Sequence, residues 1–145
     1  MGKESCDTNV LAYAFNKDCP EHLVAKVYLE SVASNYNFVI CELVLTELYV
    51  LLRSPRVFSN PLSAKEAAHI CQSLRKNPAW QLIDYSPGIM DEIWDLAEKS
   101  SFAARQIFDA RLALTLKRNG VDIFVTRNTK HFKSFGFDKL INPID

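Results

Sequence analysis

Three acids in this sequence stand where an ionised carboxylate is awkward to keep: Asp7, Glu47 and Asp109. Asp109 falls in the run Gln106 to Arg118, where Leu112, Ala113 and Leu116 follow it at the i+3, i+4 and i+7 positions, so a helix that buries those three turns Asp109 the same way. Glu47 shares its helical face with Leu43, Val50 and Leu51. Asp7 ends a short extended stretch and is followed by Thr8 to Phe15, with Leu11, Ala14 and Phe15 at helical spacing, an order of strand, acid, helix. An uncompensated carboxylate among apolar groups costs several kcal/mol, so each acid needs a proton, a cationic side chain or a metal ion. Arg105 and Arg111 stand four before and two after Asp109, in directions that only partly overlap with it. If the three acids converge, they form an all-oxygen site suited to Mg²⁺ or Mn²⁺. The plainer alternatives are that Asp7 only caps a helix and that an arginine from another element pairs with the other two.

The elements that must position these acids follow from the pattern along the chain. Cys19-Pro20-Glu21 opens a helix running to about Ser34, with Pro20 in its first turn. Phe38 to Cys41 is a short apolar run of the kind a buried parallel strand makes, and from Glu42 a helix continues until Ser54-Pro55 stops it. Ser63 and Glu66 form a capping box for the next helix, with Ala67, Ile70, Cys71 and Leu74 on its apolar stripe. Trp80 to Tyr85 is expected to be a third strand, and Ser86-Pro87 the start of a helix that buries Met90, Ile93, Trp94 and Ala97. The Asp109 helix ends at Asn119-Gly120, and Ile123 to Thr126 forms a fourth strand. Leu140 to Ile144, with Pro143, fits a short fifth strand at an edge. Apolar strands alternating with helices predict an α/β protein: a parallel sheet of four or five strands, covered by helices in three α/β/α layers. Ligands of open α/β sheets bind at the carboxyl ends of the strands, which is where Asp7 falls.

At 145 residues and 48% hydrophobic content the chain fits one domain, residues 1 to 145. No apolar run approaches the roughly 20 residues of a membrane span, no signal-peptide core follows the first residues, and the four cysteines show no C-x-x-C spacing, so reduced thiols and a cytoplasmic location are expected. The net charge is zero but unevenly spread: Lys99 to Lys139 holds nine Lys or Arg against Asp109, Asp122 and Asp138. That basic segment beside acidic elements is compatible with a polyanion laid across a metal site, although a solvated helix face would look the same. Of the three histidines, His22 and His69 read as ordinary surface or core residues. Trp80 and Trp94 read as core residues, and Phe132, Phe135 and Phe137 as packing of the tail rather than base-stacking groups.

Taken together, Asp7-Thr8-Asn9-Val10-Leu11, Glu47 within Leu45-Thr46-Glu47-Leu48, Asp109 within Phe108-Asp109-Ala110-Arg111-Leu112-Ala113, and Val125 to Phe132 resemble the PIN domain and, within it, the VapC-like toxins of toxin–antitoxin pairs. Each motif alone is weak; their order and spacing over nearly the whole chain make the joint match specific. The haloacid dehalogenase phosphatases, whose first motif also ends a strand, are excluded because they need a second Asp where Asn9 stands.

The resemblance implies an endoribonuclease that binds one or two Mg²⁺ or Mn²⁺ ions through Asp7, Glu47 and Asp109 and hydrolyses RNA, a homodimer, and a cognate antitoxin laid in a groove near the active site. Tyr49, Val50 and Leu51, with Leu45, Leu48 and Leu52, surround nearly the whole of their predicted helix with apolar groups, in keeping with such partners. The family often has a fourth acid after the Val125-Thr126 strand, where this chain has Asn128 and His131. Asn128 is expected to approach the site without adding charge, and the Thr126 hydroxyl to orient Asp7 or a water. Lys3-Glu4-Ser5-Cys6 is polar where the family usually has an apolar strand, so either the strand is short and begins near Ser5, or residues 1 to 4 reflect an altered start of the chain. A PIN-domain nuclease outside any toxin pair, or a catalytically weak module binding RNA or protein, are the alternatives.

Overall fold

The computed structural model describes residues 2–145. Strand β1 (Lys3–Cys6) leads into helix α1 (Thr8–Phe15), followed by α2 (His22–Val32), β2 (Val39–Cys41), α3 (Glu42–Leu52), α4 (Ala64–Arg75), β3 (Gln81–Ile83), α5 (Ile89–Ala97), α6 (Gln106–Arg118), β4 (Val121–Val125), a 3-10 segment (Thr129–Phe135) and β5 (Lys139–Ile141). All strand pairings are parallel: β1 with β4, β4 with β5, and β2 with β3. The three-stranded and two-stranded parts meet at a bridge between Glu4 and Phe38, where the Glu4 N–H donates to the Asn37 carbonyl at 2.9 Å. The order across both parts is thus β3-β2-β1-β4-β5, with β1 in the middle and β5 at an edge, as its exposed Ile141 indicates. Helices α1 to α4 pack among themselves, while α5 and α6 pack together with the 3-10 segment, giving the α/β/α arrangement.

The central strand departs from the polar-strand expectation. It starts at Lys3, and its polar side chains are accommodated because each has a partner. Lys3 Nζ donates to Gln81 Oε1 at 3.0 Å, Tyr28 Oη donates to Glu4 Oε2 at 2.5 Å, and the buried Ser5 hydroxyl donates to the Val39 carbonyl at 2.6 Å. Burial pushes the Tyr28 phenol up, with Cys6 and the Glu4 carboxylate nearby adding to it, which keeps the hydroxyl a donor. The Ser5 bond also ties β1 to β2 where the ladder is thin.

Several boundaries shift for local reasons. Helix α2 begins at His22, with Pro20 in the turn before it, because successive turns bonded from Cys19 and His22 back to Asn16 and Cys19 occupy that stretch. Helix α5 begins at Ile89 rather than Pro87; the N–H groups of Ile89 and Met90 reach the carbonyls of Ser86 and Pro87 in a turn that precedes the helix. Trp94 is 56% exposed, a correction to its expected burial: Ile89 and Ile93 are buried in the small cluster with Ala110, Met90 packs against it, and Trp94 lies off that stripe. The capping box at Ser63 and Glu66 forms in both directions, at 3.1 and 3.0 Å. Gly120 takes a left-handed conformation (φ +80°) beyond the end of α6, which lets the chain turn directly into β4. Phe132 is buried against Phe124, with Phe135 and Phe137 stacked around them, so the tail aromatics pack the sheet end and are not free to stack on bases.

Candidate active site

Asp7 immediately follows β1 and caps α1, its Oδ1 accepting the Thr8 N–H at 2.8 Å. Its backbone N–H donates to the Val125 carbonyl at 2.8 Å, which holds the residue beside the end of β4. From there the buried Thr126 hydroxyl donates to Asp7 Oδ2 at 2.8 Å and accepts the Asn128 N–H at 3.0 Å. Both carboxylate oxygens are thereby fixed in direction. The capping role and a place at the strand end therefore coexist in one residue.

Glu47 comes from α3. The buried hydroxyl of Thr8 donates to its Oε1 at 3.3 Å, so neighbouring residues of α1 and the β1 end serve Asp7 and Glu47 in turn. The stripe Leu43, Val50, Leu51 that Glu47 shares is not core. It lines a groove of about 410 Å³ with Thr8, Thr46, Glu47, Arg105 and Phe108, while Val44, Leu45, Leu48 and Leu52 on the other side of α3 are buried. The helix is thus not uncovered all round; its unpartnered apolar surface is reduced to the groove wall, where Val50 and Phe108 are exposed.

Asp109, in the first turn of α6, completes the group. Neither Arg105 nor Arg111 pairs with it; the neighbour is His131 of the 3-10 segment, with Nδ1 3.5 Å from Asp109 Oδ2. Of the two residues the sequence offers at the family's fourth acidic position, Asn128 and His131, it is His131 that lies beside Asp109, three residues beyond Asn128 and one turn along the 3-10 segment.

The three acids act on one another electrostatically. Burial pushes the Asp7 carboxyl up, and the Asp109 charge adds to that, while the bonds from Thr126 and Thr8 work against it. Glu47 is raised by burial and then by the charges of Asp7 and Asp109. Asp109 is raised by burial and eased by His131. Among the described residues no Lys or Arg forms an ion pair with Asp7, Glu47 or Asp109. Repelling carboxylates stand apart rather than in a closed cage: among the described residues no group of three or more His, Cys, Asp or Glu is spaced to hold an ion directly. Asn128 is exposed, and only its backbone is bonded to this cluster. Arg127, between Thr126 and Asn128, turns away to pair with Glu21 and to donate to the Tyr13 hydroxyl at 2.9 Å, pinning the start of α2 to the end of β4. A separate cleft of about 590 Å³ between α5, α6 and the 3-10 segment contains none of the three acids.

The model of the family described as "PIN domain" matches residues 6–138. The chain is 50% identical over 140 residues to Ribonuclease VapC24 of Mycobacterium tuberculosis, covering 97% of this chain and 96% of that protein. Among solved structures, VapC20 of Mycobacterium tuberculosis, described as a sarcin-ricin loop cleaving toxin, superposes with a TM-score of 0.65 at 17% identity over 84% of this chain and 87% of that one. A toxin–antitoxin complex from Klebsiella pneumoniae does so with a TM-score of 0.63 at 18% identity over 97% and 98%. These two likenesses concern the fold. Among the described residues no helix is long and apolar enough to cross a membrane. From the family match and the near full-length identity, the chain belongs to the PIN domain family and, within it, falls among the VapC ribonucleases.

Proposed function

We propose that this protein is a Mg²⁺- or Mn²⁺-dependent endoribonuclease, the toxin of a toxin–antitoxin pair, with Asp7, Glu47 and Asp109 as metal-binding residues. The observation that carries this reading is Asp7: a walled-in carboxylate with both oxygens oriented by Thr8 and Thr126, the Asp109 charge acting on it, its own charge acting on Glu47, and no Lys or Arg side chain paired with any of the three among the described residues. Such a group is stable at neutral pH only with a proton or a cation. The donor set is all oxygen, and a hard ion that keeps several of its waters reaches carboxylates that stand apart. When bound, the ion supplies activation of water and neutralisation of charge on the phosphodiester.

The chain's own residues do the rest. Thr126 fixes the direction of Asp7 from behind, and Thr8 does the same for Glu47. Asp109 faces them from α6, with His131 at the solvent side, 59% exposed, where it meets an RNA phosphate. Asn128 presents a neutral amide on the rim where an acid would add charge, which favours one tightly held ion. The VapC24 relative is named a ribonuclease and the Klebsiella relative is a toxin–antitoxin complex, which supports RNA as substrate and an antitoxin as partner. The groove of Leu43, Val50, Leu51 and Phe108 beside Glu47 would receive the antitoxin segment, and the protein would act as a homodimer.

The test is cleavage of single-stranded RNA by the purified chain with Mn²⁺, with EDTA, and by Asp7→Asn. Cleavage confined to the unsubstituted protein with Mn²⁺ is expected. RNA bound but never cut would replace the nuclease reading with that of a binding module.

A further inference from the structure

Arg111 and Tyr85 form a pair that the acid cluster does not use. The central carbon of the Arg111 guanidinium lies over the Tyr85 ring, 3.7 Å from its centroid. Arg75, Arg118 and Arg127 each have a carboxylate partner, whereas among the described residues Arg111 has none and its side chain makes no hydrogen bond. Its Nε is buried without a partner, the one such side-chain atom found among the described residues. A buried unsatisfied donor costs about 1–3 kcal/mol. Packing alone would be served as well by a leucine or methionine at this point of α6, without that cost.

Position supplies the second half of the case. Tyr85 lies two residues beyond the end of β3, and α6, which carries Arg111, packs against β2. Asp7 lies just beyond the end of β1 in the same parallel sheet. Strands are spaced by about 4.8 Å, so two spacings put the Arg111–Tyr85 pair on the order of 10 Å from Asp7 along the same crevice. Arg111 also follows Asp109 by two residues, so α6 carries one residue toward the acids and the other toward β3. A guanidinium held over an aromatic ring offers a surface for a base and donors for a phosphate, the combination by which single-stranded nucleic acid is held without regard to sequence.

We propose that Arg111 and Tyr85 form a nucleotide-binding subsite for single-stranded RNA, holding a nucleotide that flanks the scissile phosphodiester on the β3 side of the acids. This rests on the ribonuclease reading above. The pair sets the affinity and register of the RNA and takes no part in the chemistry.

The experiment measures binding of a labelled single-stranded oligoribonucleotide to the full chain in EDTA by fluorescence anisotropy, and KM and kcat for the same oligomer with Mn²⁺. Tyr85→Ala and Arg111→Lys are compared with Tyr36→Ala, an exposed residue before β2 at the other end of the sheet. Arg111→Lys keeps the charge and loses the plane, so it remains informative should Tyr85→Ala fold poorly. A lost stacking contact is worth about 1–3 kcal/mol, or roughly 5- to 150-fold in affinity. Weaker binding of that size for both variants, with KM raised more than kcat is lowered and Mn²⁺ affinity held, supports the subsite. Variants that bind RNA and show KM like the unsubstituted protein overturn it while leaving the nuclease reading intact. Binding lost in the variants, in a protein that never cleaves RNA, supports the subsite and defeats the nuclease reading instead. No RNA binding by the unsubstituted chain overturns both.

Discussion

Replacing Asp7 with Asn removes one charge with little change of shape, and the result should have opposite signs with and without metal. In the protein Asp7 Oδ1 accepts the Thr8 N–H and Oδ2 accepts the Thr126 hydroxyl, each at 2.8 Å. An asparagine keeps the first bond through its own oxygen. It can meet the second with its amide once the Thr126 hydroxyl turns, so the cap of α1 survives. What disappears is a buried charge whose carboxyl is pushed up by burial and by Asp109, and which in turn raises Glu47.

The sign against pH follows. With its pKa raised in the folded state, Asp7 binds more protons there than in the unfolded chain, over a window that opens near the ordinary carboxylate value of about 4 and closes at the raised folded value. The stability contributed by this group therefore falls as pH rises through that window and stays low above it. Asp7→Asn removes this penalty. In EDTA at pH 7.5 the variant should melt at or above the unsubstituted protein, and the gap should narrow at pH 4.5.

Saturating Mn²⁺ acts the other way. At 100 times its dissociation constant a bound ion adds about 2.7 kcal/mol to stability. For a domain of this size that corresponds to a rise in melting temperature of roughly 5–10 °C. Most of the rise should vanish in Asp7→Asn, because one of three anionic ligands is gone. Thermal melts at two pH values, with EDTA and with a Mn²⁺ series, measure all of this. An Asp7→Asn protein stabilised by Mn²⁺ as much as the unsubstituted one, or one destabilised in EDTA at pH 7.5, would refute the reasoning.

Thr126→Val keeps the volume but leaves Asp7 Oδ2 and the Asn128 N–H without their shared partner, and should cost about 1–3 kcal/mol of stability and lower RNA cleavage, read by denaturant melts and a cleavage assay. Asn128→Asp adds a negative group at the rim and should raise Mn²⁺ affinity in calorimetry, with cleavage held or increased, whereas Asn128→Ala should cost less activity than Asp7→Ala. Tyr28→Phe strips Glu4 of its 2.5 Å donor in the central strand and should destabilise the fold by about 1–3 kcal/mol while leaving Mn²⁺ affinity unchanged.

Helices with strong local signals were legible in the chain itself. The capping box at Ser63, the apolar stripe from Leu112 to Leu116 and the Asn119-Gly120 stop each depend on neighbours within one or two turns, and α4 and α6 begin and end accordingly. The same holds for the order strand, acid, helix around Asp7, and for the apolar strands whose parallel arrangement follows from the helices between them. The three acids could be picked out because an acid on an apolar stripe or at a strand end conflicts with burial wherever the chain goes. What lay beyond the sequence were matters of partnership across long separations. Whether Lys3 and Glu4 could enter a central strand depended on Gln81 and Tyr28, and whether Trp94 was buried depended on how far α6 covers α5. The stripe of Leu43, Val50 and Leu51 has the same period whether it faces core or groove; only the packing of α3 against α1 and α4 decided that Leu45, Leu48 and Leu52 face inward and Glu47 faces the crevice. His131 beside Asp109, and Arg111 on Tyr85 with its Nε unpartnered, were likewise settled by tertiary structure, since a side chain's partner is chosen by the fold and not by its neighbours in sequence.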